Sequence, residues 1–488
     1  MRQTWHIFLK DARRLRYEIL VVLALTVAYA WSQGHWSPAS DARTERLNEV
    51  AAVLRGFLLP MAWWYLASLA VYEEALPGDR QFWVTRPYRW TSLLGAKLLF
   101  IAAFLNFPLL LADCFVLTLQ GFQPWANPAG LLWHQIILSI TLLVPMIAVA
   151  CITISFAQEV LLGLGIIVSI ILLATLLGPG GSTVVGMDVR GGWIDGSLTC
   201  LIVLLGALAI MILQYRARHT WVSRIIFAAA LLSILCDGRL LRWDTTYAVQ
   251  SHLLKSRVDT SSVTARLSPE SGSPLTVPSE PQNPAPPNFV RVGLPILFEG
   301  VPTGTTVATD VMMADLSLPN DRSSMTRLSF TPTVPDAVWH YALVERSLFT
   351  QVKSTAVRLH ITFYLTVLGD PHTEHAPLGR GPYRVPGVEL CQLDPRGPGQ
   401  AAVSCRAAFR QPSYVLARFN GFDKDTPREQ QQIDYSPFPA EIGISPIADN
   451  NWPVPKDATT LAFTTMQPLA HIRRELDIPS VQLLESAP

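Results

Sequence analysis

The sequence predicts an α-helical multipass membrane bundle of six to seven helices followed by an all-β, sandwich-like soluble domain. Three observations carry that prediction. Half of the 488 residues are apolar and only 15% are charged, where a soluble chain carries roughly 25%. Charge and proline are unevenly spread: residues 1–236 hold 16 Lys and Arg, 12 Asp and Glu and 9 prolines, whereas 237–488 hold 22, 25 and 28. The first part contains long apolar runs, and the second contains short β-rich segments between turn signals. The net charge of +1 leaves no basic footprint for a nucleic acid.

Crossing the hydrocarbon core takes about 20 predominantly apolar residues. Six runs qualify: Ile19–Ser32 with its flanking Tyr17 and Gln33, Gly56–Tyr72, Leu94–Leu119, Leu131–Ala157, Val160–Leu177 and Leu198–Gln214. A seventh, Trp221–Cys236, is weaker, because Arg224 and Asp237 bracket its short core. The first run follows a basic stretch like a signal peptide does, but no small-residue cleavage site follows within Ala30–Ser37, so a retained helix is expected. With the N-terminus in the cytoplasm, the inner loops carry twelve Lys and Arg and the outer loops four, which sets the orientation by the positive-inside rule. Seven crossings then put the C-terminal domain outside the cytoplasmic membrane.

Pro60, Pro108 and Pro145 fall within apolar runs and predict helix kinks. Asp113 falls within the third run, and an intramembrane carboxylate faces protein or water rather than lipid. Two readings stay open for it, a structural hydrogen-bond role and a place on a transport pathway. Glu159 falls at the expected cytoplasmic turn between two helices, where exposure to water is predicted. The Gly-rich stretch 178–197 reads either as a re-entrant or interfacial cap or as a plain connection.

Between the second and third runs lies the most informative stretch. It begins acidic at Glu73 and Glu74 and turns at Pro77-Gly78. Phe82 and Trp83 then stand among Arg80, Arg86 and Arg89, with Thr85, Pro87 and, at the next helix, Lys97. Aromatics beside arginines are the residue types enriched in interface hot spots. At Glu74, Pro77, Gly78, Arg80, Phe82, Trp83, Thr85, Arg86, Pro87, Arg89 and Lys97 the chain resembles the ABC-2 type permease family, the membrane subunits of one class of ATP-driven exporters. The opening stretch with Trp5, Phe8, Lys10 and Asp11 is similar to the amphipathic N-terminal helix such permeases carry along the membrane surface. The resemblance covers residues 1–220. It implies that the loop is the coupling contact for an ABC ATPase subunit and that ATP and Mg are held by that partner, with no cofactor on this chain. It also implies a second copy or a second permease beside this one. The sequence has no Gly-x-x-x-x-Gly-Lys-Ser/Thr phosphate loop of its own. The family ends after its sixth helix, so the C-terminal half leaves the substrate open.

In that half, residues 238–287 form a juxtamembrane segment and a Pro- and Ser-rich linker, and 288–488 form the β-domain. The linker composition is plainest over 256–287. Strands are expected at Phe289–Phe298, Thr305–Leu316, Ala356–Leu368 and Ser413–Phe419, separated by turns at Pro302–Gly304, Asp370-Pro371 and Asn420-Gly421. Cys391 and Cys405 are the only cysteines there, and either bridge, as an oxidising compartment allows, or remain two core thiols. Cys114, Cys151, Cys200 and Cys236 lie in or beside apolar runs and act as small hydrophobes. His372-Thr-Glu-His375 lacks a helical setting and a third ligand, so no metal site is expected. The competing functional class is a multipass protein that displays its outer domain to a ligand or envelope partner. A membrane-embedded enzyme lacks a catalytic constellation.

Overall fold

The computed structural model describes residues 2–34, 52–73, 89–176, 192–240, 243–254, 258–268, 288–318, 321–330, 339–377, 383–385, 389–397, 400–408, 414–419, 429–432, 440–446 and 460–483. The chain divides between Arg242 and Trp243 into two units.

The first unit is helical: α1 (Arg2–Arg14), α2 (Arg16–Gly34), α3 (Leu59–Tyr72), α4 (Trp90–Ile101), α5 (Phe107–Leu119), α6 (Pro128–Leu138), α7 (Val144–Ile152), α8 (Phe156–Leu176), α9 (Gly192–Ala217) and α10 (Thr220–Leu240). Among the described residues, three stretches are long and apolar enough to cross a membrane: Trp90–Leu119, Pro128–Ile152 and Ser197–Ala217. A fourth candidate is α1 with α2, which pass together but are bent by 78°. The remaining expected runs form the shorter apolar stretches Gly56–Tyr72, Phe156–Ser169 and Thr220–Ile234.

The three prolines do not kink the bundle into separate helices. Each sits two residues beyond a single π-helical turn: Leu54–Leu58 before Pro60, Ala102–Asn106 before Pro108, and Ser139–Leu143 before Pro145. A proline ring collides with the carbonyl four residues back and offers no N–H to it. That carbonyl belongs to Gly56, Phe104 or Thr141, all within the wider turns, where the i→i+5 pattern makes room. Helix continues through Trp90–Leu119 and Pro128–Ile152 as a result.

Small side chains let these helices approach. Ala67, Ala70, Ala96, Ala150 and Cys151 are fully buried alongside Leu66 and Phe100, and a Cβ added at Gly206 of α9 would lie 3.2 Å from that of Ala230 on α10. With no hydrophobic drive between helices in lipid, such close contacts supply much of the packing.

The second unit opens with α11 (Trp243–Leu254) and contains two antiparallel sheets. The larger has eight strands in the order β1-β2-β5-β4-β3-β6-β13-β10: β1 (Thr264–Leu267), β2 (Phe289–Glu299), β5 (Trp339–Glu345), β4 (Asp321–Phe330), β3 (Thr306–Leu318), β6 (Val357–Pro377), β13 (Thr460–Val481) and β10 (Tyr414–Phe419). The smaller is β11-β12-β9-β8-β7: β11 (Glu429–Gln432), β12 (Ala440–Pro446), β9 (Gln400–Ala407), β8 (Glu389–Gly397) and β7 (Tyr383–Val385). Two findings bear on the sequence reading. In 238–287, the juxtamembrane part contains α11 and the linker part contains β1, while 269–287 lie outside the described residues. Asp370-Pro371 does not reverse the chain, because β6 runs through it, with Asp370 at φ 52° and a register shift opposite Thr465 and Gln467.

The large sheet does not depend on a second layer for its core. Edge strand β1 touches β13, six places along the order. Arg474 of β13 donates to the carbonyls of Val263, at 2.6 Å, and Thr260, in the turn before β1. The sheet therefore curls around Val292, Ile296, Met312, Leu359, Ile361 and Phe363, and the helix α12 (Arg346–Val352) adds Phe349 and Val352 to this core. Register shifts in β3 and β13 mark β-bulges, which raise local twist and permit the curl.

Candidate functional site

Glu74, Pro77, Gly78, Arg80, Phe82, Trp83, Thr85, Arg86 and Pro87 lie outside the described residues, but the stems on either side of that loop are described. The entry stem is α3, ending at Tyr72 and Glu73. The exit stem is α4, whose N-cap Arg89 is exposed and extended, φ −74° and ψ 136°, with its carbonyl accepting from Ser92 and Leu93.

Helix α1 reaches both stems. Its buried stripe of Ile7, Phe8 and Asp11 lies at i, i+1 and i+4, one face of a helix. Phe8 stacks on Phe104 at 5.7 Å between ring centres, Phe104 packs on Phe100 at 4.9 Å, and a Cβ on Gly95 would meet Thr4 at 3.6 Å. On this platform Asp11 Oδ2 accepts from Lys97 Nζ at 2.6 Å, with neither side chain exposed. One turn on, Arg14 pairs with Glu73 at 2.6 Å. The same short helix thus holds the residue that enters the loop and the helix that leaves it. A buried ion pair is weak evidence of stability, but losing one partner costs about 3–5 kcal/mol because the other stays charged in a dry site. Asp11 Oδ1 has no hydrogen-bond partner, which makes Lys97 the group that holds this carboxylate.

A second polar cluster ties the entry stem to the α7–α8 turn. Ser68 Oγ donates to Glu159 Oε2 at 2.7 Å, Tyr72 and Thr153 share a hydrogen bond of 2.9 Å, and Thr153 Oγ1 stands 3.4 Å from Glu159 Oε1. Glu159 is 1% exposed, against the water-exposed position its sequence neighbourhood predicts. The reason is where α8 begins. Ser155 followed by Gln158 is a capping pattern: Gln158 N lies 3.4 Å from Ser155 Oγ, and Gln158 Oε1 accepts from Ile154 N at 2.9 Å. Helix therefore starts at Phe156, and Glu159 turns inward from its first turn instead of standing in a loop. That Ser-x-x-Gln signal is readable in the sequence. The partnership with Ser68, 91 positions away, is not.

Asp113 is also fully buried. It accepts from Gln135 Nε2 at 2.9 Å and meets His134 Nδ1 at 3.0 Å, while Asn106 Nδ2 donates to Ser139 Oγ at 2.7 Å further along the α5–α6 seam. The contacts of Asp113 engage Oδ2 alone, Oδ1 having no hydrogen bond among the described residues, and are compatible with either role expected for this carboxylate.

In the second unit, Cys391 is disulfide-bonded, and its cross-strand partner in the β8–β9 ladder is Cys405. His372 and Glu374 pair at 3.1 Å on the exposed part of β6. No group of three metal-ligating side chains occurs among the described residues.

A third polar cluster, unforeseen from the sequence, joins α11 to the outer face of the sheet. The register shift between Thr309 and Val311 makes Asp310 a bulged residue. Core positions are odd before it, at Val307, and even after it, at Met312, Ala314 and Leu316. Asp310 thereby faces α11 with Val311. Tyr247 donates to Asp310 Oδ2 at 2.7 Å, and so does Thr366, at 2.5 Å. Thr366 has one hydroxyl proton, so its 2.8 Å contact with His471 Nδ1 requires that nitrogen to be the donor. Nε2 of the neutral ring then accepts from Gln250 at 3.1 Å. Burial holds the His471 imidazole below its ordinary range and lifts the Asp310 carboxyl above its own, while Thr366 and Tyr247 oppose the latter.

No family model, curated protein or solved structure matches this chain.

Proposed function

We propose that this chain is the permease subunit of an ATP-driven ABC exporter, working with a separate ATPase subunit that holds ATP and Mg. The loop spanning residues 74–88 is the docking element. The observation that carries this reading is the grip of α1 on both stems of that loop, through Arg14–Glu73 and Asp11–Lys97. A push on the loop enters α3 and α4 together, and the Ser68–Glu159 contact passes it on to α8. A lipid-facing connection has no need of a fully buried ion pair on its exit stem, costly to desolvate, beside a partly exposed one on its entry stem.

The exporter reading takes α2, α3, α8 and α10 as further crossings beside the three long stretches. Gly56–Tyr72 rises about 26 Å, and the 21 residues of α8 and of α10 about 31 Å each, against a core of about 30 Å. Exposed apolar side chains such as Leu161, Leu164, Val168 and Ile171 on α8 suit contact with lipid or a second permease copy. In this arrangement the β-rich unit is outside the cytoplasmic membrane, where a disulfide at Cys391 persists. The test is to purify the tagged chain from its native membrane in mild detergent and look for a co-purifying subunit with a phosphate-loop sequence. Its presence, with ATP hydrolysis in the complex, supports the exporter. A chain isolated without it at full yield favours the display protein instead.

A further inference from the structure

Helix α1 has a second face that the loop stems do not use. Opposite its buried stripe, Arg2, Trp5, Lys10 and Arg13 are exposed, and Arg16 and Tyr17 continue the exposed face into α2. Arg16 lies over the Tyr17 ring, 4.6 Å from its centre. The only acid among the first seventeen residues is Asp11, and it is sealed against Lys97. The outward face therefore carries cations and aromatics with no compensating negative charge.

The bend supplies the geometry. Helix α2 exposes Leu20, Val21 and Val27, an apolar exterior suited to lipid. With α2 along the bilayer normal, the 78° bend leaves α1 about 12° from the membrane plane. Trp5 near one end and Tyr17 at the other are amphipathic rings of the kind found at headgroup level.

We propose that this face of α1 is a docking surface for the phosphate groups of anionic lipids, so that lipid charge sets how firmly α1 is seated and, through Asp11 and Arg14, how firmly it holds the loop stems. The inference rests on the membrane part of the reading above and not on the ATPase. Each cation held near an anionic surface favours binding by roughly fivefold. Four of them outweigh the entropy of ordering a short helix and make the contact salt-sensitive.

The test uses the full chain in nanodiscs of phosphatidylcholine alone or mixed with phosphatidylglycerol, with backbone hydrogen exchange of residues 2–14 as the readout. Exchange should slow roughly tenfold or more in the mixed discs, and the difference should shrink in high salt. Lys10→Gln with Arg13→Gln should shrink the lipid difference, and Arg2→Gln with Arg16→Gln added to them should abolish it, while α4 and α5 exchange as in the unaltered chain. Soluble glycerol phosphate added to phosphatidylcholine discs should not reproduce the protection. Equal exchange in the two lipid compositions overturns the proposal, as does protection by glycerol phosphate alone. So does protection that arises only when an ATPase subunit is added.

Discussion

Lys97 Nζ lies 2.6 Å from Asp11 Oδ2 with both side chains fully buried, although 86 positions separate them in the chain. The pair joins α1 to α4, the helix that follows residues 74–88.

Removing one side of this pair leaves the other charged and dry. Lys97→Met and Asp11→Leu should each lower stability by about 3–5 kcal/mol, and the double substitution should recover most of the loss. Denaturant unfolding of the four proteins in one detergent gives the cycle. Additive losses in the double variant would show that the two residues do not depend on one another.

Glu159 should behave as a packed hydrogen-bond acceptor. Glu159→Gln keeps an acceptor for Ser68 and should cost about 1 kcal/mol or less, whereas Glu159→Ala takes the buried acceptor from Ser68 and should cost about 2–3 kcal/mol, Thr153 keeping its bonds to Val149 and Tyr72. Equal stability of the two variants would return Glu159 to the exposed turn.

The His471 cluster makes the β-rich unit sensitive to acid. The folded state holds this imidazole below its ordinary value near 6.5, so the unfolded chain takes up the proton first. Stability is then full above about pH 6.5 and is lost as pH falls through the lower folded value. Asp310, raised by burial, acts in the opposite sense, weakening the fold as pH rises from about 4 through its own folded value. Thermal unfolding of the unaltered chain and of His471→Gln from pH 8 to 5 separates the two. Below pH 6.5 the unaltered chain should lose stability relative to the variant. Parallel curves would remove His471 from the account.

Opposed across the β8–β9 ladder, Cys391 and Cys405 close a short loop, and reduction should cost about 3 kcal/mol. Peptide mapping without reductant should recover the two segments joined. Free thiols at both positions in protein never exposed to reductant would contradict the pairing.

Much of the helical unit was legible because an apolar run of membrane length has few other fates. The runs from residues 56, 94 and 131 correspond to helix that is continuous or nearly so. Three kinds of feature were not legible. Pro60, Pro108 and Pro145 announce a disturbed helix, but whether it breaks or relaxes into a π turn depends on neighbours that a single sequence does not pair. Asp11 and Lys97 each stand out alone, as does Asp113, yet their partners lie far along the chain or on a facing helix. Asp310 is the plainest case. Alternation along β3 points it away from Val311, and only the bulge opposite β6 puts both on the side of α11. Within 238–287, α11 and β1 were hidden for a related reason, since they draw their stability from contact with the sheet rather than from their own composition.

The claim at the centre is that residues 74–88 dock on an ATPase subunit. Phe82 and Trp83 are the large side chains of that loop, and truncating such anchors commonly costs about 2 kcal/mol or more, roughly a thirtyfold loss of affinity. The most direct measurement is co-purification of the ATPase subunit with Phe82→Ala/Trp83→Ala beside the unaltered chain, at matched expression and membrane insertion. The account predicts that the double variant inserts normally and loses the ATPase together with transport. Retention of the subunit and of activity by that variant would contradict it.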